Sequence, residues 1–221
     1  MTEAEWLSSA DPERMYSVVE NNAFKLTWPA AEGASRKVAF FGAACCRLVW
    51  PLISANPHLV RAVEELETRF DAPKSEEELD EIWLEVKDLY RHPATDTALE
   101  MMSAAQLVEY TDDPLGVIRI LLRTLKDWGE IDGRAGQIAA VMRDIVGNPF
   151  RPAVFKTTWR TETVVALAYG IYTERAFDRL PIMADALEEA GCDDVDILDH
   201  CRAPGLHVHG CWVVELALGR L

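Results

Sequence analysis

The sequence is poor in basic residues and in long apolar runs. Its 221 residues include 37 Asp and Glu but only 22 Lys and Arg, which gives a formal net charge of −15. A surface of this sign repels nucleic-acid phosphates, so we expect no direct contact with DNA or RNA. No stretch reaches the roughly 18 to 20 apolar residues that cross a bilayer, and the acidic opening does not resemble a secretory signal. We therefore expect no membrane contact and a cytoplasmic location.

Signatures of catalysis and of disulfide scaffolds are also missing. The sequence contains no GxGxxG, GxxxxGK[ST] or GxSxG motif, so it offers no visible nucleotide site and no serine-nucleophile turn. Its 5 cysteines are odd in number and lack a framework spacing, which favours free thiols or metal ligands. The sequence therefore argues more against an enzyme than for one.

Apolar residues recur at helical spacing along the chain. Val38, Phe41 and Cys45 lie on one helical stripe, and similar stripes recur in later segments. No segment alternates apolar and polar residues for long, although 153–155 or 212–214 could be short extended pieces. The sequence predicts an all-α protein, a multi-helix array or helical-repeat-like bundle with at most short strands.

Capping residues mark the beginnings of several helices. Thr2 and Glu5 have the spacing of a capping box, and Asp11 followed by Pro12 is typical of a helix start. Two short helices should therefore open the chain. A connection is predicted at 27–33, and further helices at 99–110 and 115–125.

The best candidate for a boundary is the run GNPFRP at 147–152, because its two prolines forbid a continuous helix. This divides the chain into an N-terminal helical region, 1–147, and a C-terminal helical motif region, 148–221. We expect the two regions to pack together as one unit.

Both ends of the chain carry recognisable sequence motifs. The opening TEAEW, the segment AACCRLVW, NPFRP and the tail ADALEEAGC…DILDHCRAPGLHVHGCWVV resemble a large, mostly uncharacterised family of bacterial proteins that occurs as many paralogues within one genome. The resemblance implies no established activity. The family's usual ending is similar to HVRGCWVVDLLLG, whereas this chain has His209 and Glu215 at the arginine and aspartate positions.

A cluster of cysteines and histidines lies in the tail. Thiolate and imidazole ligands suit Zn²⁺, and a helix end followed by a proline-glycine turn can bring Cys201, His207 and Cys211 together. His200 is the preferred fourth ligand and Cys192 the alternative. The sequence thus predicts a possible zinc site, although it contains no CxxC or HExxH spacing.

Two other interpretations of this cluster remain open. In the first, the cysteines are small buried apolar residues, His200 caps a helix and His207 is a satisfied turn residue. In the second, Cys201 is a nucleophile activated by His207 or His209, as in a cysteine-dependent hydrolase.

Acidic residues are concentrated between Arg61 and Asp88, where 11 Asp and Glu face 4 Lys and Arg. Such a run is typical of solvated helix faces, and it can also dock another protein with a basic surface. We therefore expect a non-enzymatic protein-interaction module, an adaptor or scaffold of a bacterial multi-component system. The candidate partner-binding residues are Glu76, Glu77, Asp80, Glu81 and Trp212.

Overall fold

The computed structural model describes residues 1–19, 31–89 and 130–220, and these segments contain helices and no strand. The α-helices are α1 (Glu3–Ser8), α2 (Pro12–Val18), α3 (Ala31–Leu48), α4 (Trp50–Ile53), α5 (Pro57–Thr68), α6 (Glu76–Leu89), α7 (Glu130–Val146), α8 (Glu162–Glu174), α9 (Leu180–Glu189), α10 (Val195–Arg202) and α11 (Trp212–Leu218). Short 3₁₀ turns cover Thr157–Trp159 and Phe177–Arg179. The all-α prediction is confirmed for this part of the chain. The helices predicted at 99–110 and 115–125 lie outside the described residues.

The capping residues at the beginnings of α1 and α2 explain why these two helices could be predicted from the sequence. Thr2 and Glu5 form the predicted capping box, and the Asp11 carboxylate accepts from two backbone N–H groups in the first turn of α2. Two predictions were wrong. The connection predicted at 27–33 does not extend through 31–33, because α3 begins at Ala31, ahead of the apolar stripe that defines it. The segment 212–214 is helical rather than extended, since α11 buries consecutive side chains there.

The helix α3 lies at the centre of the N-terminal part, where it packs against α5 on one side and α7 on the other. The helix α2 covers α7, and α6 packs on α5. In the C-terminal part, α11 packs against α8 and touches both α7 and α10, while α9 joins α8 to α10. Among the described helices, none is both long enough and apolar enough to cross a membrane.

Polar contacts tie the two parts together. The guanidinium of Arg36 on α3 forms an ion pair with Glu215 on α11, with Nε 2.6 Å from Oε2, and donates to the Tyr172 hydroxyl at 2.8 Å. At the start of the chain, the Glu3 carboxylate accepts from Arg151 Nε at 2.6 Å and from Asn148 Nδ2 at 2.7 Å. The C-terminal helices are therefore anchored at two separate places on the N-terminal ones.

Candidate metal centre

Side chains with metal-ligating atoms converge beneath the turn that joins α10 to α11. Asp144 comes from the last turn of α7, His200 from the last turn of α10, and His207 and Cys211 from the chain leading into α11. The start of α10 is fixed by Asp194, whose carboxylate accepts from two backbone N–H groups in the first turn. The group thus joins three helices.

The group is compact. Oδ1 of Asp144 lies 2.7 Å from His207 Nδ1 and 3.1 Å from His200 Nε2, and that Nε2 lies 3.2 Å from Cys211 Sγ. One potential ligand atom from each residue lies within 4.8 Å of the others. Tetrahedral zinc, with bonds of about 2.0–2.3 Å, needs roughly 3.3–3.6 Å between ligand atoms. The shortest contacts would have to lengthen and the longest separations to shorten, each by roughly an ångström, so this cluster could hold a metal ion after local adjustment.

Hydrogen bonds at the group favour an ionised Asp144. Burial raises the pKa of this carboxyl, but hydrogen bonds from His200 and His207 outweigh burial and hold the pKa below its usual value. The backbone N–H of Val208 donates to the second oxygen, Oδ2, at 2.8 Å. Burial lowers the pKa of His207, but the hydrogen bond to Asp144, the charge of that carboxylate and a backbone hydrogen bond at Ala203 together raise it by more, so the net shift is upward. A buried carboxylate between two imidazoles and a thiol is suited to receive a cation.

The side chain of Trp212 orients His200 from outside the group. Its indole N–H donates to His200 Nδ1 at 3.2 Å. Because an indole N–H can only donate, Nδ1 is the acceptor and the proton of the neutral His200 ring is assigned to Nε2. If Nε2 held a metal ion, the proton of the neutral ring would move from Nε2 to Nδ1, and the hydrogen bond from Trp212 would have to break. Trp212 is therefore a natural reporter of occupancy.

The structure brings together three of the four ligands preferred from the sequence, namely His200, His207 and Cys211. Cys201 and Cys192 are buried elsewhere and do not belong to this group, and Asp144 takes the remaining position. Sequence reasoning missed Asp144. The available signal was a carboxylate three residues after Val141, on the side of α7 that is otherwise apolar and buried.

The cysteines are poorly disposed for nucleophilic catalysis. Burial raises the pKa of Cys211 well above its usual value, and burial raises that of Cys201 to about 12. A cysteine nucleophile needs an accessible thiolate. In addition, Asp144 and Cys211 approach the same nitrogen of His200, whereas a catalytic triad places the orienting carboxylate on the other nitrogen. This geometry does not favour the hydrolase interpretation.

The predicted partner-binding residues have different surroundings. Glu77, Asp80 and Glu81 are exposed on α6, and Glu81 lies 3.5 Å from Arg61 in a surface ion pair. Glu76 begins α6, and its side chain lies outside the described part of the structure. Trp212 is only 7% exposed. Its indole lines two clefts and cannot offer a protruding contact.

Comparison with known proteins adds no relative from which a role could be transferred. No family model, curated protein or solved structure matches the chain at a significant level. The interpretation of the site therefore depends on its geometry and its chemistry.

Proposed function

We propose that this is a zinc-stabilised helical protein in which one Zn²⁺ ion fixes the C-terminal turn to α7. The ligands are Asp144, His200, His207 and Cys211. The observation that carries the proposal is the convergence of these side chains, from the ends of α7 and α10 and from the loop leading into α11, onto one point. Nitrogen, oxygen and thiolate ligands at tetrahedral spacing match the preferences of zinc better than those of calcium or magnesium, which prefer oxygen alone.

The role of the ion is structural. Four protein ligands fill a tetrahedral zinc and leave no position for water or substrate, whereas catalytic zinc keeps one position open. The segment between α10 and α11 is short of regular backbone hydrogen bonds, so a metal cross-link there would contribute directly to the free energy of folding. Zinc would hold the end of α10, the beginning of α11 and the last turn of α7 together.

Elemental mass spectrometry of protein purified without a histidine tag tests this function. We expect one zinc per chain and a melting temperature that falls when a chelator removes the ion. Cobalt substitution should give visible absorption bands that include a thiolate-to-metal charge-transfer band. Binding should also change the fluorescence of Trp212, which is identified by comparison with Trp212→Phe.

Two cysteine variants separate the metal site from general packing. Cys211→Ala should lose the ion and the charge-transfer band, whereas Cys201→Ala, which alters an equally buried thiol outside the group, should keep both. Both variants lose packing, so metal content decides the comparison rather than melting temperature. A wild-type protein without metal, with a melt that ignores chelator and added zinc, would refute the proposal.

The exposed face of α6 supports a second function, as an adaptor for a protein with a basic surface. Glu77, Asp80 and Glu81 are exposed there together with Leu84, and their spacing places all of them on one side of the helix. An exposed leucine among carboxylates provides an apolar contact inside an acidic rim. Charge complementarity of this kind mainly sets partner choice and association rate.

Binding of a lysine- and arginine-rich amphipathic peptide tests the adaptor function. The double variant Glu77→Lys/Asp80→Lys should weaken binding by about tenfold at low salt, and the effect should shrink as salt is added. Glu81 is left unchanged because it pairs with Arg61. Glu189→Lys, an exposed reversal on α9, is the control. Equal affinities for the double variant and the control would show that α6 is not the docking surface.

A further inference from the structure

Zinc at the proposed centre leaves two hydrogen-bond donors facing each other. The Trp212 indole N–H lies 3.2 Å from His200 Nδ1, which accepts from it in this structure. With zinc on Nε2, Nδ1 carries the ring proton and can only donate, as the indole N–H does. Both donors are part-buried, and leaving such groups without an acceptor costs free energy. Each of them therefore needs a new acceptor in the zinc-loaded protein.

The indole ring of Trp212 has room to move on one side only. On the other side it lies against the backbone of Gly147, where a Cβ would be 3.3 Å from two ring carbons. The ring also forms a wall of two open clefts, with volumes of about 320 and 250 Å³. His200 would be fixed by the ion, so Trp212 is the ring that moves. Its N–H can then donate to water in the open clefts.

Asp196 is placed to accept from the protonated Nδ1 of His200. It lines both clefts, and His200 lines the smaller one. Asp196 lies four residues before His200 on α10, and side chains at this spacing are neighbours on one helix face, with Cβ atoms about 5–6 Å apart. Helical side chains lean towards the N-terminus, so the imidazole leans towards Asp196. A carboxylate is a usual acceptor for the second ring nitrogen of a metal-bound histidine.

The ion pair that Asp196 makes in this structure is a weak one. Its Oδ1 lies 3.4 Å from Arg151 Nη2, whereas charge-assisted hydrogen bonds of this type are about 2.7–2.9 Å long. The closer partner of Arg151 is Glu3, with Oε1 at 2.6 Å from Nε. Asp196 can therefore turn towards His200 without leaving the Arg151 guanidinium unpaired.

Asp199 is the other carboxylate that lines the smaller cleft. It precedes His200 directly on α10, and adjacent side chains on a helix do not face each other. Given the proposed zinc centre, on which this role depends, we infer that Asp196 is its positioning residue. When zinc is bound, the Asp196 carboxylate accepts from His200 Nδ1 in place of the contact with Trp212. This hydrogen bond fixes the tautomer and the orientation of the ring and makes Nε2 a stronger ligand.

Zinc affinity, measured by competition with a chromogenic chelator, tests this role. Asp196→Asn should weaken zinc binding roughly 10- to 100-fold, the usual effect of losing such a partner. Asp199→Asn removes the same charge beside His200 and should leave the affinity unchanged. Arg151→Met releases Asp196 from its ion pair and should not weaken binding. Urea unfolding of the metal-free variants separates an effect on the fold from an effect on the ion.

NMR of the zinc-loaded protein, labelled with ¹⁵N-histidine and ¹⁵N-tryptophan, observes the hydrogen bond itself. His200 should show a proton on Nδ1 that exchanges slowly with water, and this proton should exchange faster in Asp196→Asn but not in Asp199→Asn. The Trp212 indole N–H signal should shift on loading. One bound zinc with equal affinities in the two aspartate variants, or an unchanged indole signal, would overturn the role of Asp196 and leave the zinc-stabilised fold standing. A wild type that binds no zinc would overturn both.

Discussion

His209 is a buried imidazole without the polar partners that such a ring normally has. It packs between Phe40 and Tyr172, with ring centres at 5.0 and 4.1 Å. Neither ring nitrogen has a hydrogen-bond partner among the described residues. Burial and the positive charge of Arg175 lower the pKa of His209 to about 4. The ring is therefore neutral in the folded protein and acts as an aromatic spacer.

This environment predicts that His209→Phe raises the free energy of unfolding by an amount that depends on pH. The folded pKa of about 4 lies below the ordinary value of 6.5, so the unfolded chain binds the proton more readily and stability is lost as pH falls from 6.5 towards 4. At pH 5 this linkage costs about 2 kcal/mol, and at pH 8 almost nothing. Phenylalanine binds no proton in either state, so urea unfolding should show a much larger gain at pH 5 than at pH 8.

The control for this prediction is His58→Phe, because His58 is exposed and faces Glu85 on the protein surface. We expect no comparable gain at pH 5 from that variant. His207 has the opposite pH dependence, because its raised pKa contributes stability that is lost as pH rises above 6.5. This contribution is the same in the wild type and in both variants, so it cancels in the comparison. Equal gains in stability from His209→Phe at both pH values would show that His209 is already protonated at pH 5 in the folded protein.

At the level of elements, the turn between α10 and α11 determines which side chains join the cluster of Asp144, His200, His207 and Cys211. Gly210 has φ +93°, and a Cβ built there would lie 2.5 Å from Cδ2 of Phe40. Only glycine allows both the left-handed backbone and this close approach. The chain can therefore return over α3 at this position, which brings Cys211 to the beginning of α11 and turns His207 towards α7.

The sequence predicted the elements better than the site, for a geometric reason. Helix periodicity and capping residues are local, and they identified α1 and α2 correctly. His200 and Cys201 are adjacent on α10, so only one of them can face α7. Residue type does not decide between them, because histidine and cysteine are both good zinc ligands. Asp144 lies 63 residues from His207 along the chain, and no spacing rule connects them. Only the tertiary packing brings Asp144 next to His207.

At the level of the whole molecule, a buried polar network joins α3 to the C-terminal helices. Glu215 is 1% exposed, and Arg36 is its main partner. The same guanidinium reaches Tyr172 and Asp71, while Arg220 stands 3.9 Å from Glu215. Ion pairs of this kind contribute little net stability when formed, but loss of one partner leaves a buried charge. The network therefore makes folding of the tail conditional on α3.

This arrangement predicts that Arg36→Met destabilises the entire protein and not the tail alone. The cost should be about 3 kcal/mol, because Glu215 stays buried without its close ion-pair partner while Arg220 stands 3.9 Å away. Urea unfolding followed by circular dichroism and by tryptophan fluorescence should give coincident transitions in the wild type and in the variant. Coincidence would mean that 1–147 and 148–221 unfold as one unit, and two separated transitions would mean that each region folds by itself.

The double variant Arg36→Met/Glu215→Leu distinguishes loss of the ion pair from loss of packing. Removing both charges eliminates the unpaired carboxylate, so most of the stability lost in Arg36→Met should return. Tyr172 and Asp71 keep each other as partners through their own hydrogen bond, which limits the residual cost. A double variant as unstable as Arg36→Met would mean that the stacking of the Arg36 guanidinium on Phe40, 4.7 Å from the ring centre, supports the interface more than the ion pair with Glu215 does.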